Sequence, residues 1–429
     1  MRRVLLLATT TGYQTRMFGE AADRIGVELV FATDRCDMLE DPWRDRAIPV
    51  RFHDEDKSVA AILKHARVNP IDGILVVGDR PTVIAAMVAT ALGLPGHPPA
   101  AAAFSGNKLL TRERFRDSDL LVPWFFPTST TADAAALAAM VSYPCVIKPL
   151  TLSASRGVMR ADDAASFVRA FERLRALLGS SEARADGAGD ASALDTILVE
   201  GFIDGWEFAL EGIMHHGALN ALALFDKPDP LDGPFFEETI YVTPSSAPEP
   251  MQWDILDAIS RAAAALGLRH GPVHAECRVN DRGVYVLEVA ARPIGGLCAK
   301  SLQFQKEGKG PKVSLEEILL RHALGESLDD WRREAEASGV MMIPIPHRGV
   351  FRGAAGLDDA KGVPGIDDIR ISAKPDQVLV PLPEGASYLG FIFAHGASVE
   401  DAERALREAH GRLRFAIDPD VPVVQSKNG

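Results

Sequence analysis

Short apolar runs alternate with helix-like patterns through the first part of the chain. Strands are predicted at Val4–Ala8, Glu28–Thr33 and Ile74–Val77, and helices at Met17–Ile25, Val59–Ala66 and Pro81–Leu92. This alternation predicts a parallel sheet. The loop Thr9–Tyr13 lies where dinucleotides bind in such folds, but it lacks the GxGxxG spacing. We therefore interpret residues 1–104 as a packed lobe that shapes one wall of a substrate pocket.

A pattern of period two spans Gly271–Gly296 and predicts a β-hairpin around Asn280-Asp281-Arg282-Gly283. If residues 281–283 form a three-residue loop, Asn280 pairs with Val284, and Glu276 lies opposite Glu288. A two-residue loop would shift the register and remove that opposition. The predicted buried face carries Ala275, Cys277, Val279, Tyr285, Leu287, Val289 and Ala291. The predicted polar face carries His274, Glu276, Arg278, Glu288 and Arg292.

The two opposed glutamates indicate a cation between them. Carboxylates opposite one another on adjacent strands have Cβ atoms about 5 Å apart and repel. A site of carboxylates, waters and substrate phosphates suits Mg²⁺, and Arg292 nearby suits an anion formed during a reaction. The alternative is a solvated surface hairpin whose charges pair with one another.

Composition and charge narrow the choice of partners. The chain has 429 residues, 47% of them hydrophobic and 24% charged, which is typical of two or three globular domains. A net charge of −13 argues against nucleic acid or an anionic membrane as a partner and leaves small-molecule substrates. The four cysteines form no CxxC pair, so neither a zinc site nor a disulfide framework is indicated. The first apolar run is too short for a signal peptide, and we expect a cytoplasmic location.

Proline and glycine at Leu94–Pro99 indicate a domain boundary. We predict domains at residues 1–104, 105–325 and 326–429, with a small lobe at about 123–205. The segment Gly179–Ala193 is poor in apolar residues and rich in Gly, Ala, Ser and Asp, which predicts a mobile surface loop without chemistry.

A predicted strand, Cys145–Lys148, ends in a lysine and leads to a Ser/Gly loop at 153–158. Small residues allow a backbone to approach phosphate closely, and a lysine at the root of the loop neutralises charge. The pattern is not a Walker motif, and by itself it also fits an ordinary turn.

Taken together, five motifs resemble those of the ATP-grasp superfamily in order and spacing. They are Asn107–Arg112, Val146–Pro149, the loop 153–158, Leu198–Ile203 followed by Gly205–Phe208, and Glu288–Arg292 at the end of the hairpin. The resemblance covers roughly residues 1–325. It implies a mixed α/β ATP-grasp fold with an N-terminal Rossmann-like domain and a C-terminal α+β domain.

The resemblance also implies that the chain binds ATP and Mg²⁺. Residues matching the family's nucleotide contacts are the phosphate-binding Lys108 and Lys148, the phosphate-loop residues Ser153, Ser155 and Gly157, the adenine-reading hinge residues Glu200, Gly201 and Ile203, and the ribose-binding Glu207. Glu276 and Glu288 match the Mg²⁺ ligands, and Arg292 matches the residue that stabilises an acyl phosphate. The family usually has Asn two residues after the second metal Glu, and Ala290 stands there, which leaves open whether one or two ions bind.

Within the superfamily, the chain is most similar to L-amino-acid ligases and related carboxylate–amine ligases. The similar stretches are Phe225–Pro228, the run 233–245, Arg292–Gly296 and the run 381–396. The resemblance implies that Lys227, and with it Glu238, contacts the acyl or amine substrate, with a loop salt bridge as the alternative.

The chemistry implied is amide formation from a carboxylate and an amine through an acyl phosphate, with ADP as product. Two alternatives stay open: an enzyme that activates bicarbonate, and a nucleotide-binding regulatory protein, which Ala290 motivates. We expect a homodimer as the default symmetric assembly.

Overall fold

The computed structural model describes residues 1–9, 12–34, 47–186, 191–307 and 309–419. The N-terminal part contains β1 (Arg3–Ala8), α1 (Gly12–Ile25), β2 (Glu28–Asp34), β3 (Ile48–Val50), α2 (Glu55–Ala66), β4 (Gly73–Val77), α3 (Thr82–Leu92), α4 (Pro99–Ser105) and α5 (Lys108–Asp117). Its strands form one parallel sheet in the order β3-β2-β1-β4. The predicted parallel sheet is confirmed.

The small lobe is a second sheet covered by a helix. Its elements are β5 (Phe125–Ser129), α6 (Ala134–Ala138), β6 (Cys145–Pro149), β7 (Met159–Ala161), α7 (Ala164–Leu178), α8 (Ser181–Asp186), α9 (Ala191–Leu194) and β8 (Thr196–Gly201). The antiparallel sheet has the order β5-β8-β6-β7. Helix α7 begins at a capping box between Asp163 and Ser166, and it buries Phe167, Phe171 and Leu174 against the sheet.

The segment 179–193 is partly helical, contrary to the loop expected there. Helices α8 and α9 occupy its two ends, and residues 187–190 lie outside the described part of the chain. The Ser180 side chain accepts a hydrogen bond of 3.1 Å from the Ala183 N–H, which satisfies one free donor at the start of α8. The capping hydrogen bond and the high helix propensity of alanine therefore favour helix at both ends of this segment, although it offers few apolar side chains for burial.

The rest of the chain builds a large sheet and its covering elements. In chain order these are β9 (Trp206–His215), β10 (Ala218–Asp226), β11 (Ile240–Thr243), α10 (Glu249–Leu266), β12 (Gly271–Asn280), β13 (Gly283–Ala290), a 3₁₀ turn (Cys298–Ser301), β14 (Gln303–Lys306), β15 (Lys309–Ser314), α11 (Leu315–Ala323), β16 (Trp331–Arg333), β17 (Ala337–Ile343), β18 (Gly349–Ala355), α12 (Leu357–Lys361), β19 (Ile366–Ile371), β20 (Val378–Leu379), β21 (Gly390–Gly396), α13 (Val399–Arg412) and β22 (Arg414–Pro419). Eight strands form one sheet in the order β13-β12-β9-β10-β11-β17-β21-β19. Two three-stranded sheets, β15-β14-β16 and β20-β18-β22, flank it.

The large sheet crosses the boundary predicted near residue 325. Strands β17, β21 and β19 follow that residue, yet β17 pairs with β11 along Ile240–Thr243. The C-terminal part is therefore hydrogen-bonded into the same sheet as the hairpin. The exact domain limits stay a prediction.

The hairpin differs from its predicted form in two ways that offset each other. Asn280 pairs with Gly283, so the loop has two residues, and the predicted three-residue loop is wrong. A β-bulge then shifts the register between the pairs Cys277–Val286 and Glu276–Glu288. The extra residue restores the predicted opposition of Glu276 and Glu288.

The shorter loop also changes which side chains pack beneath the hairpin, although Tyr285 is buried as predicted. Val284 and Val286 pack into the apolar cluster beneath the hairpin, in the places predicted for Tyr285 and Leu287. Leu287 lines a cavity on the opposite side. The one-residue slip exchanges the faces of β13 between the loop and the bulge.

Candidate active site

A cavity of about 410 Å³ lies where the N-terminal sheet, the small lobe and the large sheet meet. The structure brings most of the predicted site residues to its wall, namely Lys108, Lys148, Ser153, Ser155, Glu200, Gly201, Ile203, Glu207, Glu276, Glu288 and Arg292. Two predicted residues, Lys227 and Gly157, lie outside the lining. The polar face of the hairpin therefore faces a cavity between lobes.

A buried ion-pair network forms the side of the cavity next to the small lobe. The Glu200 carboxylate accepts hydrogen bonds of 2.8 and 3.2 Å from Arg112 and also contacts Lys148 Nζ. Burial opposes the charge on Glu200, but Arg112 and Lys148 outweigh it and lower its pKa to about 2. Burial lowers the pKa of Lys148 to about 8, although Glu200 acts in the opposite direction. Lys148 is thus held in place by Glu200, with its ammonium at the cavity wall.

Arg112 is a residue whose role the sequence did not reveal. It has 1% exposure and donates from Nη1 to the carbonyls of Val286 and Leu287, at 3.0 and 3.1 Å. These carbonyls lie at the bulge that restores the Glu276–Glu288 pairing. Arg112 therefore joins helix α5, the small lobe and the hairpin. Its place in the Asn107–Arg112 motif indicated that Arg112 could belong to the site. The neighbouring sequence did not indicate which residues it contacts.

Lys227 lies behind the cavity wall among three carboxylates. Its Nζ is 2.8 Å from Glu207 Oε1, 2.9 Å from Glu238 Oε1 and 3.2 Å from Glu276 Oε1, and its side chain has 2% exposure. Lys227 therefore neutralises these carboxylates, as in the salt-bridge alternative, and its contact with a substrate stays a prediction. Burial, with the Glu276 carboxylate close by, raises the pKa of Glu238 to about 7.

Glu207 lines the cavity with both carboxylate oxygens engaged. Lys227 binds Oε1, and Arg278 Nε donates to Oε2 at 2.7 Å. Arg278 is itself fixed by the Ile203 carbonyl, at 2.7 Å from Nη1. This ties the hinge residues 201–203 to the floor of the large sheet.

The donor set at Glu276 and Glu288 fits Mg²⁺. The two residues are paired in register and both line the cavity, so carboxylate oxygens face the same space from adjacent strands. Lys108 Nζ lies 3.9 Å from Glu288 Oε2 and donates to the Leu152 carbonyl at 2.7 Å, which places a cation at the same edge. Hard oxygen ligands beside Lys108, which is predicted to bind phosphate, suit this ion. Ala290 is buried opposite His274 and supplies no side-chain oxygen.

Arg292 is oriented by Asp79, which the sequence did not identify. Arg292 Nε donates to Asp79 Oδ1 at 2.6 Å. Burial disfavours the charged guanidinium, but the Asp79 carboxylate favours it more strongly, so the pKa of Arg292 is raised. Asp79 follows β4 at the carboxyl end of the parallel sheet, where such folds hold ligands. Its position after a strand of a parallel sheet is the feature of the sequence that could have identified Asp79 as a site residue.

His274 links Glu276 to a buried glutamate. Its Nδ1 lies 3.2 Å from Glu211 Oε2, and its Nε2 lies 3.6 Å from Glu276 Oε1. Burial disfavours the imidazolium, yet the two carboxylates raise the pKa of His274 to about 9. His274 therefore forms ion pairs with both carboxylates and holds Glu276 next to Glu211.

The Ser/Gly loop is docked against the C-terminal part of the chain. Ala154, Ser155 and Gly157 all have positive φ, of 54°, 54° and 76°. The Gly157 N–H donates to the Pro383 carbonyl at 2.8 Å, and Arg156 Nε donates to the Glu384 carbonyl at 2.8 Å. Arg173 on α7 completes the contact with a bond of 2.8 Å from Nη2 to Glu384 Oε2. We call Arg173, Glu384 and the two backbone contacts the loop clasp.

Comparison with known proteins assigns the fold. Residues 141–301 match the model of an ATP-grasp domain, residues 19–96 match an ATP-grasp N-terminal domain, and residues 341–418 match the L-amino acid ligase C-terminal domain 2. The chain belongs to the ATP-grasp superfamily. The resemblance inferred from the five motifs is confirmed.

This ATP-grasp chain is also similar to solved structures and to curated proteins named as ligases, synthases or transferases. It is similar to the crystal structure of an L-amino acid ligase from Bacillus licheniformis, with a TM-score of 0.80, 27% identity, and coverage of 97% of this chain and 99% of that one. It is 29% identical over 302 residues to the formate-dependent phosphoribosylglycinamide formyltransferase of Thioalkalivibrio sulfidiphilus, covering 68% of this chain and 66% of that protein. It is 26% identical over 314 residues to carnosine synthase 1 of Gallus gallus, covering 71% of this chain and 33% of that protein.

Among the helices in the described ranges, none is both long enough and apolar enough to cross a bilayer.

Proposed function

We propose that this ATP-dependent carboxylate–amine ligase activates the carboxylate of an amino acid as an acyl phosphate and transfers the acyl group to a second amine. The observation that supports it is one cavity lined by two lysines, two opposed glutamates and an oriented arginine. A carboxylate is too poor an electrophile for an amine to attack at neutral pH. Its phosphorylation, with ADP leaving, provides the electrophile.

Each group has a distinct position in this scheme. Lys108, Lys148 and the backbone of the Ser/Gly loop bind the phosphates and offset their charge. Glu276 and Glu288 would hold Mg²⁺, which supplies charge neutralisation between phosphate oxygens when bound. Arg292, held by Asp79, donates to the oxyanion and to the departing phosphate as the amine attacks.

The wall nearest the C-terminal strands suits an apolar amino-acid side chain. Ile294, Met342, Tyr388 and Phe391 line that part of the cavity. Such a wall favours amino acids with apolar side chains over charged ones, because burying an unpaired charge is unfavourable.

The homodimer and the cytoplasmic location stay predictions. Light scattering after gel filtration would measure the oligomeric state.

Hydroxylamine trapping tests the proposed reaction. With ATP, Mg²⁺ and an apolar amino acid, hydroxylamine should intercept the acyl phosphate and give a stable hydroxamate with equal ADP. Phosphate release from pairs of amino acids would then identify the amine. ATP turnover that needs bicarbonate and no organic acid would contradict the proposal, and so would ATP binding without ADP formation across a broad panel of acids and amines.

Opening the loop clasp should uncouple ATP use from product formation. Arg173→Ala removes the ion pair to Glu384 and weakens the docking of the loop, while the contacts of Gly157 and Arg156 remain, so water should reach the acyl phosphate more often. ADP formed per amide should rise well above one, as measured by coupled ADP assay and chromatography of the product. Arg169→Ala, an exposed change on the same helix, should leave the ratio at one. An unchanged ratio in Arg173→Ala would show that the clasp does not exclude water.

A further inference from the structure

Four histidines meet at the end of the large sheet away from the ATP cavity. His215 ends β9, His216 follows it in the turn, His270 precedes β12, and His322 lies in α11. Glu207 lies in the cavity lining near the start of β9, eight residues before His215. At about 3.3 Å per residue these two positions are roughly 26 Å apart, and His274, a lining residue on β12, lies four residues or roughly 13 Å from His270. The cluster is therefore separate from the proposed ligase chemistry.

The histidine rings are close enough to share one ion. Ligand nitrogens of His215, His216 and His270 all lie within 4.8 Å of one another. Four tetrahedral ligands at about 2.0–2.1 Å from zinc lie about 3.3–3.4 Å apart, so a shift of roughly 1 Å closes the site. His216 is exposed and provides that freedom, while His270 has 8% exposure.

The surrounding structure holds the rings in this arrangement. His216 has φ of +50°, a conformation that few residues other than glycine adopt, and it turns the chain at the end of β9. The next residue fixes the turn, because the Gly217 N–H donates to the Arg269 carbonyl at 2.7 Å. His322 Nε2 lies 3.2 Å from His215 Nδ1, and its ring stacks on His270 with centroids 4.2 Å apart.

One nitrogen in the cluster has no other role within the described residues. His270 Nδ1 is buried and makes no hydrogen bond to any described group. A buried polar atom without a partner is unfavourable, so it indicates a missing ligand.

We propose that His215, His216 and His270 bind a divalent transition-metal ion of the zinc type, with water completing the coordination and His322 orienting the rings of His215 and His270. Imidazole nitrogen suits Zn²⁺ and not Mg²⁺. The bound ion joins the β9–β10 turn to the segment before β12. The ring of His322 connects this site to α11, whose Ala323 lies so close to β4 that a Cβ at Gly73 would meet its carbonyl oxygen at 2.5 Å.

Metal titration of the tag-free, full-length chain tests the site. After treatment with chelator and dialysis, Co²⁺ should bind with one equivalent and give visible d–d absorption, and Zn²⁺ should displace it with a Kd of about 10 µM or tighter. Bound Zn²⁺ should also raise the Tm. Equal Mg²⁺ should not displace Co²⁺.

Variants distinguish the histidine cluster from other donors. His216→Ala, at an exposed position that keeps the fold by circular dichroism, should weaken binding at least ~100-fold, and His270→Ala should do the same. The exposed control His53→Ala and the cavity variant Glu276→Gln should bind like the parent chain. Binding weaker than about 1 mM, unchanged binding in His216→Ala, or loss only in Glu276→Gln would overturn the proposal.

Discussion

Replacing Glu288 with glutamine should lower kcat by at least ~10³-fold while leaving the fold intact. The change keeps the size of the side chain but removes the charge that faces Glu276 across the hairpin. Because the Glu288 side chain is 32% exposed and its nearest cation is 3.9 Å away, the free energy of unfolding should change by less than about 0.5 kcal/mol. Steady-state ADP formation and urea denaturation measure the two effects.

The control for this variant is Glu249→Gln, an exposed change in the first turn of α10. It removes the same charge from a position outside the cavity lining and should leave kcat unchanged. Full activity in Glu288→Gln would show that the Mg²⁺ assignment is wrong. Loss of activity together with a large loss of stability would instead assign Glu288 a structural role.

Arg112→Met should destabilise the chain by about 3–5 kcal/mol, the range for removing one partner of a buried ion pair. Glu200 then keeps only Lys148, and the carbonyls of Val286 and Leu287 lose their donor. Since those carbonyls lie at the bulge, the alignment of Glu276 with Glu288 should loosen as well, and kcat should fall. Chemical denaturation followed by circular dichroism measures the first effect.

Arg116→Met provides the matched control on the same helix. Its guanidinium pairs with Asp117 at the surface, where an ion pair contributes about 0–1 kcal/mol, so both stability and turnover should stay near those of the parent chain. Equal stability of Arg112→Met and Arg116→Met would contradict the role given to the buried network.

Much of the fold could be predicted because its patterns are local. The strands β1, β2 and β4 have continuous apolar runs, and α7 and α13 have helical periodicity. Each of these elements can therefore be predicted from its own residues. The strands β18, β19 and β22 have mixed burial patterns and only become strands by pairing with distant partners. Stabilisation by pairing with a distant strand cannot be predicted from the pattern of a few consecutive residues.

The site shows the same division between local and distant information. The polar face of the hairpin near Glu276 could be predicted from its alternation, but the bulge could not, and Arg112, which donates to its carbonyls, lies 174 residues before Val286. Asp79 and Arg292 are 213 residues apart. The histidine cluster joins adjacent residues to His270 and His322 without any ligand spacing that a motif could capture. Cysteine spacing carries no information about the proposed histidine site.

The continuous eight-stranded sheet determines which part of the molecule can move. A swing of the C-terminal strands relative to the hairpin would break backbone hydrogen bonds between β11 and β17. The four-stranded sheet of the small lobe has no strand in common with the large sheet, and the loop clasp joins it to the C-terminal part through Arg173 and Glu384. Movement of the small lobe would therefore break no hydrogen bond between strands of the large sheet, but it would open the loop clasp.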